Sequence, residues 1–398
     1  GECDDTRRGR ALGGAPRVKT RRFLFVSTMQ ATPWGGSEEL WCAAAEEALS
    51  AGHVVGVSTF DWAEPAPRVR ALIARGAVLL TRPLKVPRVV SWIARWRGGS
   101  RSAWLKAHAE FGAEAICLSQ GSPYELVGRR ASRELLRWVM RDSTPIVNVV
   151  QFARDHERLK AGTAKLARGL FERCTANRFV AGANIASVSR QIGAEVPRAG
   201  VIRNPVNLRD ASALEWPAAD DPARFACVAR LVVAIKGQDS LLRALGAPAW
   251  RERAWRLSLV GSGPDEELLR GLARDLKIES RVDFLGQVED LRAMWREHHV
   301  LVLPSLAEGT PLAMVEAMLL GRPCVVTPVG GTAEWVSETN GVLAKSAREH
   351  DVASAMEQAW STRETWRSMG GQAREDARRL YDPAPGRTLL ALMTEVAR

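Results

Sequence analysis

The stretch Pro304-Ser305-Leu306-Ala307-Glu308-Gly309-Thr310-Pro311-Leu312-Ala313-Met314-Val315-Glu316-Ala317-Met318 reads as strand end, loop and helix start in fifteen residues. The apolar run Val300–Pro304 before it predicts a buried strand. Glu308 and Gly309 then fall in a short loop. Thr310 is a residue type that caps helices and Pro311 suits a first helical position, so a helix is expected to open there. The unspent amides of its first turn and its dipole form an anion site. Gly309 leaves room for close backbone approach. Glu316 falls inside the helix while Glu308 stays in the loop, so the two carboxylates address different parts of an extended ligand. The pair alone is a weak signal; its strand–loop–helix setting makes it specific.

Two further loops of the same kind lie upstream. Cys227-Val228-Ala229-Arg230-Leu231 reads as a strand delivering Arg230 to its carboxyl end, with Lys236-Gly237 just before a helix. Two cations there can neutralise a diphosphate, although a lysine at such a place is as often a solvated surface residue. Leu259-Val260-Gly261-Ser262-Gly263-Pro264 is a third strand-to-glycine turn. Fixed cations and backbone amides stabilise the charge that grows on a departing diphosphate without needing a metal.

Outward from these loops, strands alternate with helices almost throughout, the pattern of α/β layers on parallel sheets. In the first half, strands are expected at Arg22–Ser27, His53–Thr59, Ala77–Leu80, Ala115–Ser119, Ile146–Val150, Arg178–Ala181 and Gly200–Ile202, with helices at Glu38–Ser50, Arg133–Arg141 and Glu157–Cys174. Residues 203–223 are turn-like, with Pro205, Pro217 and Pro222, and mark a boundary. Strands resume at Phe225–Ala229, Arg256–Val260, Arg281–Leu285, Val300–Pro304 and Pro323–Thr327. The organisation predicted is a flexible tail (1–21), an N-terminal Rossmann-like domain (22–203), a linker (204–223), a C-terminal Rossmann-like domain (224–380) and a C-terminal helix (381–398) that is a candidate to cross back. Two doubly wound domains of this kind face an interdomain cleft, and ligands bind such sheets at the strands' carboxyl ends.

Composition narrows the class. Of 398 residues, 46% are hydrophobic and 25% charged, the balance of a globular protein of two domains. No apolar run reaches the roughly 18 residues that span a bilayer, and residues 1–21 lack the apolar core of a secretory signal. Six cysteines without CxxC spacing argue against a zinc site and a disulfide framework, and a cytoplasmic setting is expected. The net charge of +11 attracts anions, but no nucleic-acid-binding motif accompanies it and no nucleic acid partner is expected. Residues 82–106 hold Arg82, Lys85, Arg88, Arg95, Arg97, Arg101 and Lys106 among Trp92, Trp96 and Trp104, with no acid. Three readings stand: peripheral contact with an anionic membrane at the inner face, binding of an anionic acceptor or sugar ring, or a helix pair with Trp inside and Arg outside.

With these residues in view, the chain resembles the family 4 retaining glycosyltransferases of the GT-B fold, from about residue 22 onward and most specifically over 225–331. The family's E-x7-E signature matches Glu308 to Glu316. The resemblance implies that Glu316 holds the donor ribose, that Glu308 faces the donor sugar, and that Gly309, Thr310, Pro311 and Leu312 line the sugar and phosphate pocket. Arg230 and Lys236 match its diphosphate pair, and Gly286-Gln287-Val288 the border of the base; Gly261 and Gly263, in the third strand-to-glycine turn, are further donor-binding candidates. Trp34-Gly35-Gly36-Ser37-Glu38 resembles the family's first glycine loop, and the extended Gly36–Trp41 form a bacterial GGSEELW-type subgroup; Gly36 is then donor-side and Gly35 acceptor-side. Asn204-Pro205-Val206-Asn207 resembles the interdomain Asn-Gly-Val-Asp stretch. Where many members carry a His after the fifth strand, this chain has Gln151, with His156 five residues on; Gln151, His156 and Asn204 are the remaining acceptor-side candidates.

The activity implied is transfer of a hexose from a nucleoside diphosphate sugar, UDP-sugar favoured and GDP-sugar allowed, to an acceptor hydroxyl with retention. Polysaccharide, glycolipid or glycosylated-metabolite synthesis is the setting. Glu308, Arg230 and Lys236 are the catalytic candidates, and no metal or other cofactor is expected. Retention by this route lets the departing diphosphate take the incoming hydroxyl's proton, which suits a Gln at position 151. Two rival readings remain: a sugar-nucleotide epimerase of the same fold, and a non-catalytic sugar-nucleotide-binding protein. A dinucleotide-dependent oxidoreductase is disfavoured because Gly35-Gly36 lacks GxGxxG spacing.

Overall fold

The computed structural model describes residues 19–30, 32–84, 103–128, 132–218 and 222–398. Seven parallel strands, β1 (Arg22–Ser27), β2 (Val54–Phe60), β3 (Val78–Arg82), β4 (Ala115–Gln120), β5 (Ile146–Val150), β6 (Ala176–Phe179) and β7 (Ala199–Val201), form one sheet in the order β3-β2-β1-β4-β5-β6-β7. Six more, β8 (Ala223–Val228), β9 (Trp255–Val260), β10 (Val282–Gly286), β11 (Val300–Leu303), β12 (Cys324–Val326) and β13 (Gly341–Leu343), form a second in the order β10-β9-β8-β11-β12-β13. Every strand pairing within both sheets is parallel. Both sheets are therefore doubly wound, and each reverses direction beside its first strand, where ligands bind.

The strands are apolar on both faces because helices cover both. Phe23, Phe25, Val55 and Val57 pack toward one helical layer, Leu24, Val26, Ile116 and Leu118 toward the other. A single core cluster organises the second sheet around Phe225, Leu257, Leu259, Trp250 and Trp295. Burying each such aromatic is worth about 1.5–3 kcal/mol.

The final helix, Pro385–Val396, leaves the second domain and packs on the helix Glu39–Ser50 of the first. Leu389 and Met393 join the N-terminal core. Gly386 permits the approach, since a Cβ there would lie 2.7 Å from the Ala43 carbonyl carbon. Arg387 Nε also donates to Glu47 Oε1 at 3.1 Å. Between β7 and β8, residues 202–218 carry no regular element.

Several expected bounds move. The helix expected from Glu157 begins at Ala161, and residues 151–160 form a loop. Contacts to the helix Gly182–Ile192 hold that loop open: Ser187 Oγ donates to Asp155 Oδ1 at 2.6 Å and Gln191 Nε2 to the Arg154 carbonyl. The strand β13 was not expected. In the basic stretch 82–106, residues 85–102 lie outside the described residues, as does the tail 1–18. Arg82 is corrected outright: it is buried, donates through Nη2 to the carbonyls of Ser27 and Ser58 and lies over the Phe60 ring. Burial lowers its pKa to about 9. A guanidinium held inside the first domain offers nothing to a membrane. Among the described residues no helix is long and apolar enough to cross one.

Candidate functional site

The carboxyl ends of β8 and β11 adjoin, and their loops meet. The short helix Val233–Lys236 ends at Gly237, whose φ of 64° ends the turn in the left-handed region. A Cβ there would lie 2.2 Å from the Pro304 carbonyl, so this position requires glycine. That contact seats Lys236 against the β11 loop. Lys236 Nζ reaches Glu308 Oε1 at 2.5 Å, and Ser305 Oγ donates to the same oxygen at 2.7 Å. Glu308 is 8% exposed, so its charge is neutralised in place rather than by water.

The helix Leu312–Leu319 starts immediately after this loop. Thr310 does not cap it: its Oγ1 donates across the cleft to the Val180 carbonyl at 2.8 Å, and Pro311 occupies the cap position. Leaving the helix start without a side-chain cap keeps its first amides unspent. Gly309 also makes a close approach within the protein. A Cβ there would lie 2.0 Å from the Gln151 carbonyl, so the close approach it permits is to the N-terminal domain's own backbone.

Three cavities open along the cleft. The first, about 330 Å³, brings together Gly36, Gln151, Asn204, Lys236, Glu308, Gly309, Thr310, Pro311 and Leu312. Within it Asn204 Nδ2 donates to Gln151 Oε1 at 2.7 Å. Gln151 Nε2 and Asn204 Oδ1 are buried without a partner among the described residues, an unused donor and acceptor side by side. The second cavity, about 400 Å³, joins Gly261, Val288, Leu312 and Glu316 to Asn207 and Gln287. Glu316 is 3% exposed and accepts from the Asn207 amide at 2.8 Å. Burial pushes its pKa up to about 7, partly offset by that amide. The third, about 1110 Å³, shares Phe152, Ile235 and Ala307 with the first and holds His156 beside Arg154, Lys345 and Arg348.

The expected residues thus divide. His156 lines the large groove, and Glu308 does not. Gly35, Arg230 and Gly263 line none of the three cavities. Arg230 is exposed and has no ion pair among the described residues. Gly261 and Gly263 sit against the turn that carries it: a Cβ at either would lie 2.2 Å or 2.1 Å from the carbonyls of Ala229 and Leu231. Ser305, Asn207 and the pair Gly330-Gly331 were missed as site residues. Gly331 N donates to the Gly309 carbonyl at 2.6 Å, bracing the Glu308 loop from β12. A strand followed by Val329-Gly330-Gly331 was the available signal. Among the described residues no three His, Cys, Asp or Glu side chains gather as metal ligands.

Residues 222–362 match the family model described as Glycosyl transferases group 1. An uncharacterized glycosyltransferase of Haemophilus influenzae is 30% identical over 141 residues, 35% of this chain and 40% of that protein. A GDP-mannose-dependent alpha-(1-6)-phosphatidylinositol monomannoside mannosyltransferase of Mycobacterium tuberculosis is 33% identical over 159 residues, 37% of this chain and 41% of that one. The chain spans less than half the length of the curated relatives it matches. HepE of Anabaena, solved in complex with UDP, superposes with a TM-score of 0.70 at 17% identity, covering 94% of this chain and 99% of HepE. The fold is that of the GT-B glycosyltransferases: two Rossmann-like domains across a cleft.

Proposed function

We propose that this protein is a retaining glycosyltransferase that moves a hexose from a nucleoside diphosphate sugar to an acceptor hydroxyl without a metal. The observation that carries the reading is the Lys236–Glu308 pair, held at 2.5 Å beside the start of the helix Leu312–Leu319. A diphosphate laid against that helix start meets unspent amides and a fixed cation, and the exposed Arg230 follows β8 two residues on. Charge gathering on the leaving group is stabilised by groups already in place. The nucleoside lies in the 400 Å³ cavity with its ribose at Glu316 and its base at Val288. Glu308 faces the sugar in the 330 Å³ cavity, and the acceptor enters by the adjoining groove.

The bond from the anomeric carbon to the diphosphate oxygen breaks, the acceptor oxygen bonds to that carbon on the same face, and the acceptor's proton passes to the departing diphosphate. Gln151 takes no proton; its free amide donor holds a hydroxyl. A UDP-sugar is the favoured donor, supported by the UDP bound to HepE; the GDP-mannose use of the mycobacterial relative keeps GDP-sugars as the comparison.

The test is diphosphate release and product anomer. The chain is incubated with UDP-glucose or GDP-mannose and a panel of acceptors in EDTA, with thermal shift by UDP, GDP and ADP in parallel. Release of UDP or GDP with an α-linked product from an α-linked donor is expected. Absence of both nucleotide stabilisation and diphosphate release refutes the proposal.

A further inference from the structure

The helix Gly182–Ile192 of the N-terminal domain has no cap of its own: Ala181 occupies the cap position and offers no side-chain acceptor. Its start is capped from the other domain. Glu334 Oε1, in the turn after β12, accepts from the Ala183 amide at 2.9 Å, the bond that Ser or Asp ordinarily makes from the cap. Glu334 Oε2 accepts from Arg203 Nη1 at 3.3 Å, and Arg203 lies over the Trp335 ring. The Val180 carbonyl, one residue before the cap, accepts from both Arg203 Nη1 at 3.1 Å and Thr310 Oγ1 at 2.8 Å. One turn of the first domain is thereby gripped by two loops of the second.

Those two loops are themselves joined. Gly331 N bonds the Gly309 carbonyl, and a Cβ at Gly330 would lie 2.1 Å from the Glu308 carbonyl. Glu334 is three residues beyond that brace and Glu308 is inside it. Where Glu334 sits on the helix start, Gly309 abuts Gln151 and the 330 Å³ cavity has both its walls.

Resting on the glycosyltransferase reading, we infer that Glu334 is a positioning residue: it caps a helix of the opposite domain and thereby holds the Glu308 loop against Gln151. When the domains part, the helix start loses its acceptor and Arg203 its anion, so separation is opposed at the site's edge. The nucleotide contacts lie almost wholly on the second domain and do not depend on this grip.

The test compares Glu334→Ala, Glu334→Gln and Glu334→Ala combined with Ala181→Ser, which restores a cap from within the helix's own domain. Expected for Glu334→Ala is UDP affinity within ~3-fold of wild type and donor turnover down at least ~10-fold, as displacement of a catalytic loop produces. A larger radius of gyration by small-angle scattering is expected without any ligand. Glu334→Gln keeps an acceptor for Ala183 and recovers part of the turnover. In the double variant thermal stability returns but turnover does not. Turnover restored by Ala181→Ser, or scattering and turnover both unchanged in Glu334→Ala, overturns the inference. The scattering arm needs no nucleotide, so it still decides the domain grip if the wild type proves not to be a glycosyltransferase.

Discussion

The two sheets turn their carboxyl ends toward one another, yet the edges are chemically unlike. The second sheet's edge carries charge: Lys236 on Glu308, an exposed Arg230 after β8, and the unspent amides at Leu312. Where the first domain lines the 330 Å³ cavity, its side chains are uncharged: Ser37, Gln151 and Phe152, with Asn204 beside them. Gln120, Asn148 and Asn177 form a buried hydrogen-bonded row across β4, β5 and β6, and Gln151 follows β5 with a donor to spare. Buried charge demands a fixed partner, whereas amides are satisfied by any donor or acceptor that fits. One edge therefore suits a defined anion and the other a variable set of hydroxyls. This explains why a donor is legible from the site and an acceptor is not.

Substitutions on the two edges break or sharpen that contrast. The largest effect belongs to Lys236→Ala. It removes the fixed cation and leaves Glu308 buried with only Ser305, so turnover at saturating donor is expected to fall about 10²–10³-fold. Diphosphate release checks it, and a loss under threefold removes Lys236 from the chemistry. The next is Glu316→Gln. Burial raises the folded-state pKa from 4.5 to about 7, so the neutral form favours folding; that contribution is complete below the unfolded value and is lost as pH rises through about 7. Wild type should lose up to about 3 kcal/mol relative to Glu316→Gln between pH 4.5 and 8, read by urea denaturation. Parallel stability curves for the two proteins contradict this. The smallest is Gln151→Ala, where only a neutral hydrogen bond is lost: turnover is expected to fall about 3–10-fold with UDP affinity unchanged. A loss as large as that of Lys236→Ala erases the distinction between the edges.

On the acceptor side, sequence neighbours part in space. Gln151 and His156 are five residues apart, yet they line different cavities, because the intervening loop is drawn away by Ser187 and Gln191. Nothing local to residues 151–156 announces those two partners. Thr310 has the residue type of a cap and the position of one, but the Val180 carbonyl lies within its reach only after the domains meet. Arg82 belongs by composition to a basic surface run, and only the placement of β1 and β2 beside it supplies the carbonyls that bury it.

What the sequence alone determined was local: alternating buried strands and helices, the break near residues 203–223, and a strand–loop–helix unit placing Glu308 in a loop and Glu316 in a helix. Those follow from the spacing of apolar residues, turn formers and glycines along the chain, and a short window holds all the information. The tertiary structure alone decided which loops meet: Lys236 with Glu308, Gly309 with Gln151, Glu334 with a helix start in the other domain. Such contacts join residues as far apart as Gln151 and Gly309, and the hydrogen bond from Ala183 to Glu334 spans 151 positions; each depends on how two whole cores pack, which no window of sequence contains.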